Sequence, residues 1–155
     1  MLADFLRSTL SNNLRQTITL EEEIKQSRLY VDIEKIRFGY KFSFEQAVDE
    51  NVLTLPVPNM IIQPLLENAI KYGVYEALEE IKILLQVKRT ATNMIEIIVE
   101  NDYENDQCNA KHRGDGVGLA NIKSRLMLIY GEGDYFRISK TDLKFSVIMQ
   151  LPILD

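Results

Sequence analysis

Apolar residues recur along the chain in two periods, and the switches between them divide it into helices and strands. Leu2, Phe5, Leu6 and Leu10 fall at helical spacing before Ser11-Asn12-Asn13 interrupts, which predicts a short amphipathic helix. Thr19 followed by Glu22 is the pattern of a capping box, opening a helix from Leu20 to about Arg37. Leu20, Ile24 and Val31 stand on it beside Leu29, Ile33 and Ile36. A face that wide must pack on more than one surface, and a partner subunit is one way to cover the second. Gly39 is placed to stop this helix.

The period then becomes two. Phe42, Phe44 and Val48 alternate with polar residues in a strand that ends near Asp49-Glu50-Asn51. Pro56 and Pro58 bracket an extended link. Asn59 can cap a helix reaching Tyr75, built on Ile61, Ile62, Leu65, Leu66, Ala69 and Ile70, with Pro64 tolerable near its beginning. Ile81, Ile83, Leu85 and Val87, then Ile95, Ile97 and Val99, mark two strands joined as a hairpin through Thr90-Ala91-Thr92-Asn93. A polar tract from Asp102 to Arg113 follows, then a helix over 117–130 and strands over 135–139 and 145–151. The order β-α-β-β-α-β-β predicts an α/β (α+β) two-layer sandwich whose mixed, mainly antiparallel sheet carries helices on one face. Its other face is open or covered by the N-terminal helix.

Composition narrows the class. A chain of 155 residues holds one complete core, and its 46% hydrophobic and 26% charged content is that of a folding domain. A net charge of −5 excludes nucleic acid as the expected partner, because counterion release needs clustered cations. The single cysteine, Cys108, forms no internal disulfide and no cysteine-built zinc site. No apolar run has the length of a membrane span and the start lacks signal-peptide character, so the segment reads as cytosolic.

Two stretches carry candidate chemistry. On the helix that follows Asn59, Glu67, Asn68, Lys71 and Tyr72 lie three and four apart and converge on one face. Such a face can place an amide oxygen on Mg²⁺, an ammonium on a phosphate and a ring against a base. A solvated polar face is the bland alternative. The second stretch, Gly114-Asp115-Gly116-Val117-Gly118-Leu119-Ala120-Asn121, leads directly into the next helix. Alternate glycines let the backbone approach an anion, and the helix start adds unpaired N–H groups, so polyphosphate is the natural ligand. Neither a dinucleotide fingerprint nor a Walker loop fits, since the glycines follow a polar tract and no G-x-x-x-x-G-K-[ST] occurs.

Gln63-Pro64-Leu65-Leu66-Glu67-Asn68-Ala69-Ile70-Lys71-Tyr72-Gly73 resembles the N-box of the GHKL superfamily of ATP-binding domains, and residues 114–121 with Arg125-Leu126 resemble its second glycine box. Leu2-Ala3-Asp4-Phe5-Leu6-Arg7, Leu20-Glu21-Glu22-Glu23 and Glu34-Lys35-Ile36-Arg37-Phe38-Gly39 are similar, in order and spacing, to LytS-type sensor histidine kinases. The resemblance implies that Asn68 binds Mg²⁺, Lys71 approaches a phosphate and Tyr72 packs near adenine. It also implies that Gly114, Gly116, Val117, Gly118, Leu119 and Asn121 form the phosphate loop of an ATP site. Residues 102–113 become a lid. Glu67 takes a provisional catalytic role, activating water in the ATPase branch or polarising and orienting in kinases.

Asn101 departs from the family, which commonly has an aspartate there to accept the adenine amino group. Its amide oxygen can still accept, without charge assistance. A shifted alignment gives that role to Asp102, but the alternation of Ile95, Ile97 and Val99 makes Asn101 the inward candidate. His112 stands in the lid and is expected to be a solvated loop residue, not the phosphoacceptor.

The resemblance further implies a division into 1–39, the end of a phosphoacceptor and dimerisation region, and 40–155, the catalytic domain. The expected function is transfer of the ATP γ-phosphoryl group to a histidine upstream of Leu2 and thence to a response regulator. The full-length protein is expected to be a homodimer and a membrane receptor of which this is the cytoplasmic portion. A nucleotide-binding scaffold and an ATP hydrolase on the same fold are the alternatives.

Overall fold

A computed structural model of the chain describes residues 1–6, 17–75, 77–102 and 117–154. In order these form a helical segment at 2–6, β1 (Thr17–Thr19), α1 (Leu20–Phe38), β2 (Phe42–Val48), β3 (Pro56–Pro58) and α2 (Gln63–Ala69), which continues as a π-helical turn over Ile70–Val74. β4 (Ile81–Arg89), β5 (Met94–Asp102), α3 (Val117–Tyr130), β6 (Phe136–Lys140) and β7 (Lys144–Pro152) complete the fold.

Five strands make the main sheet in the order β2-β4-β5-β7-β6, with β2 parallel to β4 and every other pair antiparallel. Its register keeps the inward apolar residues of neighbouring strands opposite one another. Leu85 pairs with Val99 and Val99 with Val147, while Val87 pairs with Ile97 and Ile97 with Met149, and all six are buried on the inner face. The intervening residues point outward and mix polar side chains with the half-buried Leu84, Ile98 and Ile148. Glu96 accepts from Gln150 Nε2 at 2.7 Å and pairs with Lys88 at 3.1 Å, and Glu100 accepts from Ser146 Oγ at 2.9 Å.

All three helices contribute to the inner core: Leu20, Ile24 and Val31 from α1, Leu65, Leu66 and Ala69 from α2, and Leu119, Ile122 and Leu126 from α3. The two-layer sandwich expected from the element order is therefore formed, with α1 in the same layer as α2 and α3 and the other sheet face outside it. Along α1, Leu29 and Ile33 are half-buried and Ile36 is 73% exposed, so the second side of its wide apolar face is only partly covered within this chain.

The Thr19 capping box forms as its spacing predicts, with Thr19 Oγ1 accepting from Glu22 N at 3.2 Å and Glu22 from Thr19 N at 3.1 Å. Gly39, at φ 56°, ends α1. The Asn59 cap does not form. α2 begins at Gln63, and the N–H groups of Met60, Ile61 and Ile62 are taken at 2.8–2.9 Å by the buried carboxylate of Glu23 from α1. Asn59 Oδ1 instead accepts from Arg125 Nη2 at 2.7 Å. A charge from another helix outcompetes the local amide because it reaches three donors at once. Extended pairing of β1 with β3 is a second feature absent from the sequence reading, which treats residues 56–58 as a link.

Candidate functional site

The polar face of α2 survives folding. Glu67 and Lys71 are exposed and Asn68 is half-buried, while Leu65, Leu66 and Ala69 on the opposite side enter the core. Gln63 Nε2 donates to Glu67 Oε1 at 3.0 Å, one helical turn apart, which steadies the carboxylate. The π-helical turn at 70–74 widens the end of the helix and leaves Lys71 Nζ 5.2 Å from the centre of the 36%-exposed Tyr72 ring.

That turn also brings Gly73 onto the end of β5. A Cβ built at Gly73 would meet Asn101 Nδ2 at 2.9 Å, so only glycine lets helix and strand approach this closely. Asn101 is 3% exposed and points inward, as the alternation predicts. Its Nδ2 donates to the Asp102 carbonyl at 2.9 Å, which leaves Oδ1 as the acceptor.

Asp102 faces the other way and is engaged. Its carboxylate accepts from Lys82 N at 2.8 Å and from Lys144 Nζ at 2.6 Å, tying together β4, β5 and β7. Burial opposes ionisation, but these two donors outweigh it and hold the carboxyl below the usual aspartate range.

α3 runs from this end of the sheet to the other. At its far end Tyr135 Oη donates to the Tyr130 carbonyl at 3.0 Å, Gln150 N donates to the Tyr135 carbonyl at 2.9 Å, and Gln150 pairs with Glu96 near the start of β5. α2, which ends beside Asn101, therefore runs opposite to α3, against which it packs. Arg125 touches residues 59 and 60. Stepping from Arg125 back to Gly118 covers about 10 Å along α3, and stepping from Gln63 on to Asn68 covers about 7–8 Å along α2 in the same direction. Asn68 and Gly118 thus lie toward one end of the helical layer. A Cβ at Gly118 would meet nothing within 4 Å, and packing does not account for this glycine. Leu119 is buried in the core at 9% exposure, so only its backbone is available to a ligand, and Asn121 is exposed. Gly114, Gly116, His112 and most of the expected lid lie outside the described residues, as does the side chain of Val117.

Similarity to known proteins follows the same architecture. The catalytic domain of the histidine kinase ThkA superposes with a TM-score of 0.61 at 16% identity, covering 88% of this chain and 95% of that one. A family model described as histidine kinase matches residues 1–42. The sensor protein LytS of Oceanobacillus iheyensis is 25% identical over 162 residues, 97% of this chain and 28% of that protein.

Over most of its length this chain is similar to LytS-type sensor histidine kinases. A second relative of that name, the sensor histidine kinase/phosphatase LytS of Staphylococcus aureus (strain MRSA252), is 29% identical over 151 residues, 90% of this chain and 26% of that protein. The chain spans about a quarter of the length of these curated LytS relatives. Among the described residues no helix is long and apolar enough to cross a membrane.

Three contacts escaped the sequence reading of this LytS-like domain. Gln63 beside Glu67 was visible as an i,i+4 pair. Glu23 on the loop before α2, and Gly73 against Asn101, join residues 28 or more apart and left no local signal.

Proposed function

We propose that this chain is the ATP-binding catalytic domain of a sensor histidine kinase, transferring the γ-phosphoryl group of ATP to a histidine on an upstream helix and thence to a response regulator. The observation that supports it is the close approach of Gly73, at the end of the α2 polar side, to the buried acceptor Asn101, and in this reading the glycine-bearing start of α3 completes the site. Asn101 Oδ1 would accept from the adenine amino group, with Tyr72 beside the base. Lys71 and the N–H groups from Gly114 through Gly118 into Leu119 and Asn121 would neutralise the phosphates.

Mg²⁺ fits the donor chemistry. Among the described residues no group of three or more His, Cys, Asp and Glu could hold a metal unaided, and Asn68 offers one hard amide oxygen to an ion otherwise ligated by substrate phosphates. When bound, Mg²⁺ supplies charge neutralisation on the phosphoryl oxygens. In transfer, the acceptor nitrogen forms a bond to the γ-phosphorus as the bond to the ADP oxygen breaks. Glu67, steadied by Gln63, would orient or polarise the attacking imidazole.

Residues 1–39 are in this reading the end of the phosphoacceptor and dimerisation region with its linker helix, and 40–155 the catalytic domain. Leu20, Ile24 and Val31 join the catalytic core, so the linker helix is built into that unit. The full-length protein would be a homodimeric membrane receptor with this portion in the cytoplasm. Asn101 in place of a charged acceptor favours, as the second reading, a nucleotide-binding scaffold.

Incubating the chain with γ-labelled ATP and a polypeptide that carries the upstream histidine helix tests the reading. Label should pass to that polypeptide and not to this chain. Rapid phosphate release without acceptor would indicate a hydrolase, and binding without transfer a scaffold.

A further inference from the structure

Met60 is one of two non-glycine residues with positive φ, at 57°, among the described residues, and it lies in the loop that launches α2. A side chain in this left-handed region is strained unless surrounding contacts hold it there. Here two charges from different helices hold it. The Glu23 carboxylate of α1, 1% exposed, accepts from Met60 N at 2.8 Å and from Ile61 N and Ile62 N at 2.9 Å. The Arg125 guanidinium of α3 donates to the Met60 carbonyl at 3.3 Å and to Asn59 Oδ1 at 2.7 Å. The same peptide unit region is thus gripped on its donors by an anion and on its acceptors by a cation. The loop itself is buried, with Asn59 6%, Ile61 1% and Ile62 0% exposed.

Arg125 stands seven positions after Gly118, on the helix that the glycine stretch opens. Asn68 stands eight positions after Met60. We propose that Arg125 is a positioning residue that fixes the offset of α2 against α3 through the strained Met60 loop, and so sets Asn68 and the glycine-bearing helix start at the separation a metal-bound triphosphate requires. Arg125 touches no substrate. It acts through the loop, with Glu23 as the fixed opposing point, and this role rests on the nucleotide-binding reading above.

The planar fork of arginine reaches two acceptors at once, whereas a lysine ammonium can satisfy one and loses the fixed angle between them. An alanine leaves the Met60 carbonyl and the Asn59 amide oxygen without this partner. The loop then relaxes toward negative φ, and α2 moves relative to α3 by the swing of a single residue.

The test titrates the chain with ATP in Mg²⁺ and again in chelator, for wild type, Arg125→Lys, Arg125→Ala and Arg125→Ala/Met60→Gly, with a melting curve for each. Arg125→Ala is expected to weaken Mg²⁺-supported ATP affinity about tenfold, the factor that corresponds to the left-handed penalty, while affinity in chelator falls by much less. Arg125→Lys should keep the wild-type melting temperature within a few degrees and still lose part of the Mg²⁺-dependent gain. Met60→Gly, which adopts positive φ without strain, should recover part of the loss in the double variant. Equal losses with and without Mg²⁺, tracking the melting temperature, would overturn the proposal by reducing Arg125 to a packing role. No recovery by Met60→Gly would overturn the part assigned to the loop. Wild type that binds no ATP in Mg²⁺ would instead contradict the functional reading itself.

Discussion

Gly73 and Asn101 touch so closely that a Cβ on the first would stand 2.9 Å from Nδ2 of the second. The contact joins the end of the helical layer to the end of β5. Because Asn101 is buried and its Nδ2 already donates to the Asp102 carbonyl, it cannot swing aside without giving up that bond. Gly73→Ala should therefore displace either the amide or the π-helical turn. We expect a loss of ATP affinity of roughly tenfold and a destabilisation of about 1–3 kcal/mol, typical of overpacking. Isothermal titration and thermal melting measure the two.

Asn101→Asp has opposed consequences for the free and bound protein. A carboxylate accepts a hydrogen bond about twice as strongly as an amide, so affinity for ATP should rise severalfold. The same change removes the donor to the Asp102 carbonyl and sets a charge in a site that is 3% exposed. The free variant should melt earlier than wild type, and saturating ATP should close the gap. A variant that loses both affinity and stability would argue against a base-amino contact at this position.

Glu23 is buried, and burial pushes its carboxyl above the usual range against the pull of the N–H groups of Ile62, Met60, Ile61 and Gln63. Glu23→Ala would leave these donors unsatisfied inside the protein, at about 1–3 kcal/mol for each one that water cannot reach. The expected outcome is a fall in melting temperature larger than that from any substitution on the exposed side of α1, such as Ile36→Ala. A neutral result at Glu23 would contradict its role as the cap of the α2 entry.

Asp102 gives a pH dependence of definite sign. Its folded pKa lies below the ordinary 3.8, because the Lys144 ammonium and the Lys82 N–H outweigh burial. Its stabilising contribution is therefore complete above 3.8 and is lost as pH falls through the lower folded value. Asp102→Asn should reduce stability at neutral pH by no more than about 1 kcal/mol, since the Lys144 pair is partly exposed. It should also flatten the acid limb of a melting-temperature profile below pH 3.8. Raised salt should shrink the difference between variant and wild type.

The sheet was legible because the inward positions of its central strands are apolar at every second residue, even where Leu84, Ile98 and Ile148 interrupt the polar side. Ile83, Leu85 and Val87 face the core, and Ile95, Ile97, Val99 and Asn101 do the same in β5, so the inward direction of Asn101 followed from counting by twos. The α2 polar face was legible for the same kind of reason, through helical spacing from Glu67 to Tyr72. The start of α2 was not. Asn59 has the chemistry of a cap, but the competing partner is Glu23, 36 positions earlier, and the amide is drawn off by Arg125, 66 positions later. Such choices are decided by charge and burial in the assembled core and leave no trace in local pattern. The pairing of Thr17–Thr19 with Pro56–Pro58 was hidden likewise, because two three-residue strands carry too few positions to show a period.

Asn68 is the residue on which the account turns, since it is the one protein oxygen assigned to the metal. ATP titration of wild type and Asn68→Ala, in Mg²⁺ and in chelator, tests that assignment most directly. The wild type should gain affinity with Mg²⁺, and Asn68→Ala should lose most of that gain while binding ATP in chelator about as well as before. Identical Mg²⁺ dependence in the two proteins would contradict it.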